Sequence, residues 1–292
     1  MRRHISSAPS GANPFRRDPV AYAHRLISVS PPGLRQCLGN IAASIGCGFS
    51  VNSIFLVIAF FTFPTSRFVI AQESAEPKPA DASYTTEVIE GWTLHVRQRL
   101  LDEHPKETLR ARDLLQGQLV NINKAVPPAA LAHLHKVPLW FSPRYPGAQA
   151  PRAEYHPNAQ WLRNHDRDPQ MAKAVEFTNI ETFEREERRM PWFVLHELAH
   201  AFHDQVLGFD NPEVIAAYEQ AVKSGAYDNV KRWTGVEEVR ERAYAMTNHR
   251  EYFAENSEAY FGRNDFEPFD RAELEKMDPA MLRLLERLWN SK

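Results

Sequence analysis

A short stretch rich in histidine and apolar residues constrains this chain more than any other. Residues 191–204 read PWFVLHELAHAFHD and contain one His-Glu-x-x-His, formed by His196, Glu197 and His200. On a helix the two histidines lie four residues apart on one face, so both imidazoles can contact one metal ion. Glu197 lies about 100° further round the helix, where it could act as a base toward a metal-bound water. The stretch therefore predicts a buried helix with a metal site, an arrangement that metalloproteases use.

Charge and cysteine content exclude several kinds of protein. The 292 residues are 43% hydrophobic and 25% charged, which suits one or two globular domains. Of the 35 basic and 37 acidic residues, residues 1–71 hold seven and one, which leaves the remainder with a net charge of −8. A mildly acidic body argues against nucleic acid as the partner. Both cysteines, Cys37 and Cys47, lie in this early segment, so its removal would exclude a disulfide scaffold and a Cys-ligated zinc site.

The N-terminal segment has the features of an export signal. The apolar run at 54–64 (IFLVIAFFTFP) is too short for a membrane span of about 20 residues, but it matches the apolar core of a signal peptide. Residues 69–71 (VIA) resemble a small-residue cleavage site before Gln72. We therefore expect a leader at 1–71, a polar linker at 72–83 and a secreted or periplasmic protein.

Two other interpretations of the leader stay open, because it is longer than the usual signal of about 15–30 residues. Residues 51–71 could form an uncleaved membrane anchor, and only in that case do we expect stable membrane insertion. A lipoprotein signal at Cys47 is a weaker alternative, since the apolar run follows this cysteine instead of preceding it.

The remaining chain, 84–292, predicts an α+β domain in which a small mixed β-sheet leads into a largely helical C-terminal half. Alternating apolar residues predict strands, and apolar residues at helical spacing predict helices. Strands or hairpins are expected at 84–101 (with Gly91 in the turn), 137–141, 153–157 and 174–179. Helices are expected at 106–124, 129–136, 191–207, 211–223, 227–247, 249–261 and 270–290. Residues 142–151 and 158–173 are expected to be loops, and 180–189 a charged helix or loop.

A catalytic zinc normally has three protein ligands, so the chain must supply one more. The metzincin pattern would place a histidine six residues after His200, but Val206 occupies that position. His203 could reach a metal in principle. The favoured interpretation of His203 is a partly exposed side chain near the end of the helix.

The segment 251–255 (EYFAE) offers a better third ligand. Glu251 and Glu255 share one helix face, so one carboxylate can bind zinc while the other accepts the N–H of a ligating histidine. Glu258 is a lesser candidate on the same face. The plain alternative is a solvated acidic helix face.

The motif together with this later Glu-x-x-x-Glu resembles the gluzincins, and EYFAE resembles their lethal-factor-like branch. In that branch the first Glu of the segment binds zinc, the second supports a ligating histidine, and a catalytic Tyr precedes the ligand by seven residues. The resemblance implies Glu251 as a zinc ligand beside both motif histidines, Glu255 as the supporting carboxylate and Tyr244 as the oxyanion stabiliser. It covers about 191–261, and a buried helix aromatic is the alternative for Tyr244.

We therefore expect a zincin-like, zinc-dependent peptidase that acts on a peptide or protein substrate. Zn²⁺ held by His196, His200 and Glu251 would polarise the scissile carbonyl, and Glu197 would be the general base. The strand at 174–179 is expected to be the edge on which an extended peptide adds. Two alternatives remain: a catalytically inactive zincin-like exported binding protein, and a metal-free exported protein with an accidental motif.

Overall fold

The computed structural model describes residues 83–146, 150 and 152–291. All of them belong to one compact unit, Pro77–Lys292. The predictions for the leader at 1–71 and, apart from Ser83, for the linker at 72–83 lie outside the described residues. None of the helices in the described ranges has the length and apolar character needed to cross a membrane.

The described chain is an α+β structure with a small mixed sheet, as predicted. Its strands are β1 (Tyr84–Ile89), β2 (Trp92–Arg97), β3 (Leu139–Phe141), β4 (Ala153–Tyr155), β5 (Val175–Phe177), β6 (Val230–Trp233) and β7 (Glu238–Glu241). Its α-helices are α1 (Gln98–Glu103), α2 (Pro105–Ala125), α3 (Pro128–Leu134), α4 (Ala159–Asn164), α5 (Phe183–Arg189), α6 (Phe193–Phe202), α7 (Pro212–Ser224), α8 (His249–Phe261), α9 (Arg271–Met277) and α10 (Pro279–Trp289).

The order of strands in the main sheet decides which strand lies at an edge. The five strands run β1-β2-β3-β5-β4, with β2, β3 and β5 parallel and both outer strands antiparallel to their neighbours. The predicted first hairpin is confirmed over residues 84–97, and Gly91 takes the left-handed turn with a φ of 101°. The last residues of that prediction, 98–101, are helical and belong to α1. The prediction that 174–179 is an edge strand is wrong, because β4 pairs along β5 and becomes the edge itself.

The two faces of β5 enter different layers. Val175 and Phe177 join the main core, which α2 and α6 also line. Glu176 alternates with them and points to the opposite face, where it is fully buried. A second, smaller core covers that face and consists of Trp140, Leu162, Met171 and Ala174. The sheet is therefore covered on both faces near β5.

The motif helix α6 is buried along its length, and only His200 is partly accessible. Helix α8 is equally buried from Glu251 to Tyr260. Trp289 of α10 supports both helices: its ring stacks on Phe202 of α6 at 4.2 Å between centroids and on Phe253 of α8 at 5.8 Å. The two helices that carry the predicted site thus pack around one aromatic cluster.

The predicted motif helix at 191–207 changes geometry near its end. α6 continues into one turn of π-helix, His203–Leu207, and the helical segment ends at Gly208 with a φ of 80°. π-Helical turns inside helices occur frequently at functional sites. Here the wider turn changes the directions of the side chains that follow the motif.

Two further secondary-structure predictions are wrong. Residues 158–173 are not simply loop, because Asn158 caps α4 through its side chain and a 3-10 helix follows at Pro169–Met171. Residues 227–247 are not mostly helical, because β6 and β7 form a hairpin with Gly235 in the turn, followed by a 3-10 helix at Tyr244–Thr247. The predicted tail helix divides into α9 and α10 at Asp278, whose side chain caps α10.

Candidate metal centre

His196 and His200 lie on one face of α6, one helical turn apart. Their Nε2 atoms are 3.1 Å from each other. His196 is fully buried, and the side chain of His200 is 12% exposed. Two neutral imidazoles gain nothing from facing each other through ring nitrogens unless a proton or a cation lies between them. The arrangement predicted from the i, i+4 spacing is therefore present.

Glu251 brings a carboxylate to the same point from α8. The Asn248 side chain caps this helix by accepting the N–H of Arg250 and of Glu251, which fixes Glu251 in the first turn. Its Oε2 lies 3.1 Å from Nε2 of His196 and 3.4 Å from Nε2 of His200. Burial acts to raise the pKa of Glu251, but the charges and hydrogen bonds of the two imidazoles outweigh it and hold that pKa well below its ordinary value.

The spacing of these three donor atoms fits zinc. Bonds of about 2.0–2.1 Å at tetrahedral angles place neighbouring ligand atoms about 3.3 Å apart. The three separations here, 3.1, 3.1 and 3.4 Å, lie close to that value. Two imidazole nitrogens and one carboxylate oxygen are also the donor set of a catalytic zinc site with an open position. The side chains of His196, His200 and Glu251 could hold the ion without rearrangement.

The second ring nitrogen of His196 faces two more carboxylates of α8. Nδ1 lies 2.7 Å from Oε1 of Glu258 and 3.6 Å from Oε1 of Glu255. The sequence favoured Glu255 for this contact and ranked Glu258 lower, but Glu258 is the nearer acceptor. Oε2 of Glu255 accepts the side-chain N–H of Asn264 at 3.1 Å. A hydrogen bond at Nδ1 fixes the tautomer that directs the Nε2 lone pair toward a metal.

The negative charge around His196 is a further reason to expect a cation. Glu197, Glu251, Glu255 and Glu258 are at most 9% exposed. Buried carboxylates need compensating charge or hydrogen bonds. A divalent cation between the two imidazoles would offset part of this charge.

Glu197 lies beside the ligand atoms rather than among them. It follows His196 on α6, is 4% exposed, and its Oε2 accepts the backbone N–H of Tyr155 at 2.9 Å. Because β4 is the edge strand, this bond places the carboxylate at the edge of the sheet. Sequence reasoning placed a strand at 153–157 but did not connect it to Glu197, and no local pattern indicates that contact.

Tyr244 begins the 3-10 helix Tyr244–Thr247, which packs against α8, the helix of Glu251. The residue is 9% exposed. The predicted helical context of Tyr244 is thus replaced by a short turn immediately before α8. The oxyanion role that the family resemblance implies stays a prediction.

The expectation of a partly exposed His203 is wrong. Its side chain is fully buried in the π-helical turn, and both ring nitrogens lack a hydrogen-bond partner within the described residues. Phe253 lies 4.8 Å from it between ring centroids, and Phe209 5.4 Å. Burial, followed by the charges of His200, His249 and Arg250, lowers the pKa of His203 to about 3. It is a neutral core residue and does not belong to the group of candidate ligands.

No protein-family model matches the chain, and no curated protein or solved structure shows significant similarity to it.

Proposed function

We propose that this protein is a zinc-dependent peptidase with a zincin-like catalytic domain. The observation that carries the proposal is the set of three donor atoms, from His196, His200 and Glu251, at the mutual distances of zinc ligands. The neighbouring Glu197 supplies a base, and the resemblance to lethal-factor-like gluzincins supports the same chemistry. The export signal expected at 1–71 supports a substrate that lies outside the cell or in the periplasm.

Each residue of the centre has a defined task in amide hydrolysis. When bound, zinc would supply Lewis acidity toward the scissile carbonyl and lower the pKa of water. Glu197 accepts the proton of the attacking water and delivers it to the leaving amine. Tyr244 donates a hydrogen bond to the oxygen that becomes negative, a contribution that is typically about 10²–10³ in rate. Glu258 and Glu255 orient His196.

The substrate backbone is expected along β4, not along β5. Arg152 and His156 direct backbone groups toward β5. The backbone oxygen of Arg152 accepts the N–H of Thr178, and the N–H of His156 donates to the backbone oxygen of Ala174. Backbone groups alternate along a strand, so Ala153 directs its own to the outer edge. The contact between β4 and Glu197 supports this placement, because a peptide paired with that edge would pass the catalytic carboxylate.

Cleavage of a diverse peptide library by the zinc-loaded protein tests the proposal, with Glu197→Gln as the matched control. The substitution keeps the size of the side chain and removes the base. We expect cleavage by the parent, its loss in the presence of a chelator, and a loss of at least about 10²-fold in the variant. Zinc-loaded parent that cleaves nothing would favour the inactive binding protein instead, and equal cleavage by both proteins would exclude Glu197 as the base.

A further inference from the structure

Tyr155 connects two carboxylates of the motif helix. Its backbone N–H donates to Oε2 of Glu197 at 2.9 Å, and its hydroxyl donates to Oδ2 of Asp204 at 2.6 Å. Asp204 follows Glu197 by seven residues and lies in the π-helical turn, and the contacts of Tyr155 show that both side chains face the end of β4. Tyr155, the last residue of the edge strand β4, therefore binds the helical segment twice. Its backbone amide contacts Glu197, and its phenol contacts Asp204.

Asp204 is also held by Lys173, which lies in the turn before β5. Nζ of Lys173 lies 2.5 Å from Oδ2 of Asp204, and Gln205 donates to the hydroxyl of Tyr155 at 3.1 Å. Lys173 has a left-handed backbone with a φ of 64°, which is uncommon for a residue other than glycine. Its N–H donates to the backbone oxygen of His156 at 2.6 Å. Lys173 thus connects the residue after β4 to Asp204, through its backbone N–H and its side-chain ammonium group.

Neither Asp204 nor Tyr155 has a place in the chemistry described above. Both are nevertheless partly buried and joined by a short hydrogen bond next to the general base. Burial, followed by the bond to Asp204 and its charge, raises the pKa of Tyr155 well above its usual range, so the phenol stays a donor. A hydrogen bond from a neutral donor to a carboxylate is among the stronger kinds.

We propose that Tyr155, Asp204 and Lys173 form a clamp that positions the carboxylate of Glu197 by fixing the edge strand on the motif helix. Tyr155 is a positioning residue, since its side chain acts through its own backbone N–H. Without the clamp, the end of β4 and its amide are held less firmly against α6. The catalytic consequence rests on the proposed function, whereas the clamp itself rests on geometry alone.

Amide hydrogen exchange of the metal-free, full-length protein tests the clamp without any need for activity. The backbone amide of residue 155 should exchange about tenfold faster in Tyr155→Phe and in Asp204→Asn, which corresponds to the loss of one hydrogen bond to a charged group. Tyr145→Phe is the matched control, because it also removes a Tyr–carboxylate bond, 2.7 Å long, to Glu176 on the other face of the sheet. Unchanged exchange in both clamp variants, or equal acceleration in the control, would overturn the clamp.

Kinetics with a cleaved peptide tests the consequence for Glu197. The Tyr155→Phe and Asp204→Asn variants should lose about tenfold in kcat, with unchanged KM and zinc content, because a displaced base affects only the chemical step. Tyr145→Phe should resemble the parent. A loss confined to KM, or a loss of bound zinc, would refute the positioning role. Absence of cleavage by the parent would refute the proposed function, while the exchange measurement would still decide the clamp.

Discussion

Replacing Glu258 by Gln should weaken zinc binding more than the same replacement of Glu255. Oε1 of Glu258 lies 2.7 Å from Nδ1 of His196, whereas Oε1 of Glu255 lies 3.6 Å away. Gln keeps the size of the side chain and removes the charge that orients the imidazole and increases its basicity. Loss of such a partner typically costs about 10–100-fold in metal affinity, or about 1.4–2.7 kcal/mol. We expect this loss for Glu258→Gln and a smaller one for Glu255→Gln.

Competition with a chromophoric chelator, at constant pH and ionic strength, measures both affinities against the parent protein. Circular dichroism of each metal-free variant shows whether its fold is intact. The two variants control for each other, because both remove one buried carboxylate from the same helix. An equal loss in the two, or a larger loss for Glu255→Gln, would refute the ranking by distance and return the supporting role to the residue that the family resemblance favoured.

Three further predictions concern stability. Trp289→Ala should reduce the free energy of unfolding by about 3–5 kcal/mol in urea titrations, because its buried ring supports both site helices; a loss below about 1 kcal/mol would contradict that role. Gly262→Ala should destabilise the protein by at least about 1–3 kcal/mol, since an added Cβ would lie 1.9 Å from Cε2 of Trp192. Gly117→Ala should stabilise it by about 0.5–1 kcal/mol, because an added Cβ there meets nothing within 4 Å. A change of the same sign in both variants would refute the steric argument. The folded-state pKa of His203 is lowered from 6.5 to about 3, so its contribution to stability is complete above 6.5 and declines as pH falls toward 3. Metal-free His203→Leu should therefore lose less stability than the parent on acidification below 6.5, by about 1.4 kcal/mol per pH unit, and identical pH profiles would contradict burial of a neutral imidazole.

Elements with one clear period were predictable from the sequence. The strand Trp92–Arg97 after Gly91 alternates apolar and polar residues, and the helix at Pro105–Ala125 repeats apolar residues at helical spacing, so both elements were predicted correctly. The segment 227–247 mixes two periods: Val239, Ala243 and Met246 suggested a helix, while the alternating burial at Val230–Trp233 belongs to a hairpin. The missed indication of that hairpin was Gly235, the glycine in the turn between its two strands.

The candidate ligands were predictable from local spacing, whereas the contacts around them were not. His196 and His200 share a face through local spacing, and the spacing of Glu251 and Glu255 placed both carboxylates on one side of a second helix. Which carboxylate meets Nδ1 of His196 depends on how α8 is rotated and shifted against α6, and no local pattern encodes this. The same holds for the edge strand, because β4 joins the sheet outside β5 although it precedes β5 in the chain.

The position of zinc in the purified, zinc-loaded protein tests the central claim most directly. Anomalous diffraction at the zinc absorption edge should give one peak bonded to Nε2 of His196, Nε2 of His200 and the carboxylate of Glu251. A peak elsewhere, or a site that stays without zinc at concentrations that saturate known catalytic centres, would contradict the metal centre and the peptidase built on it.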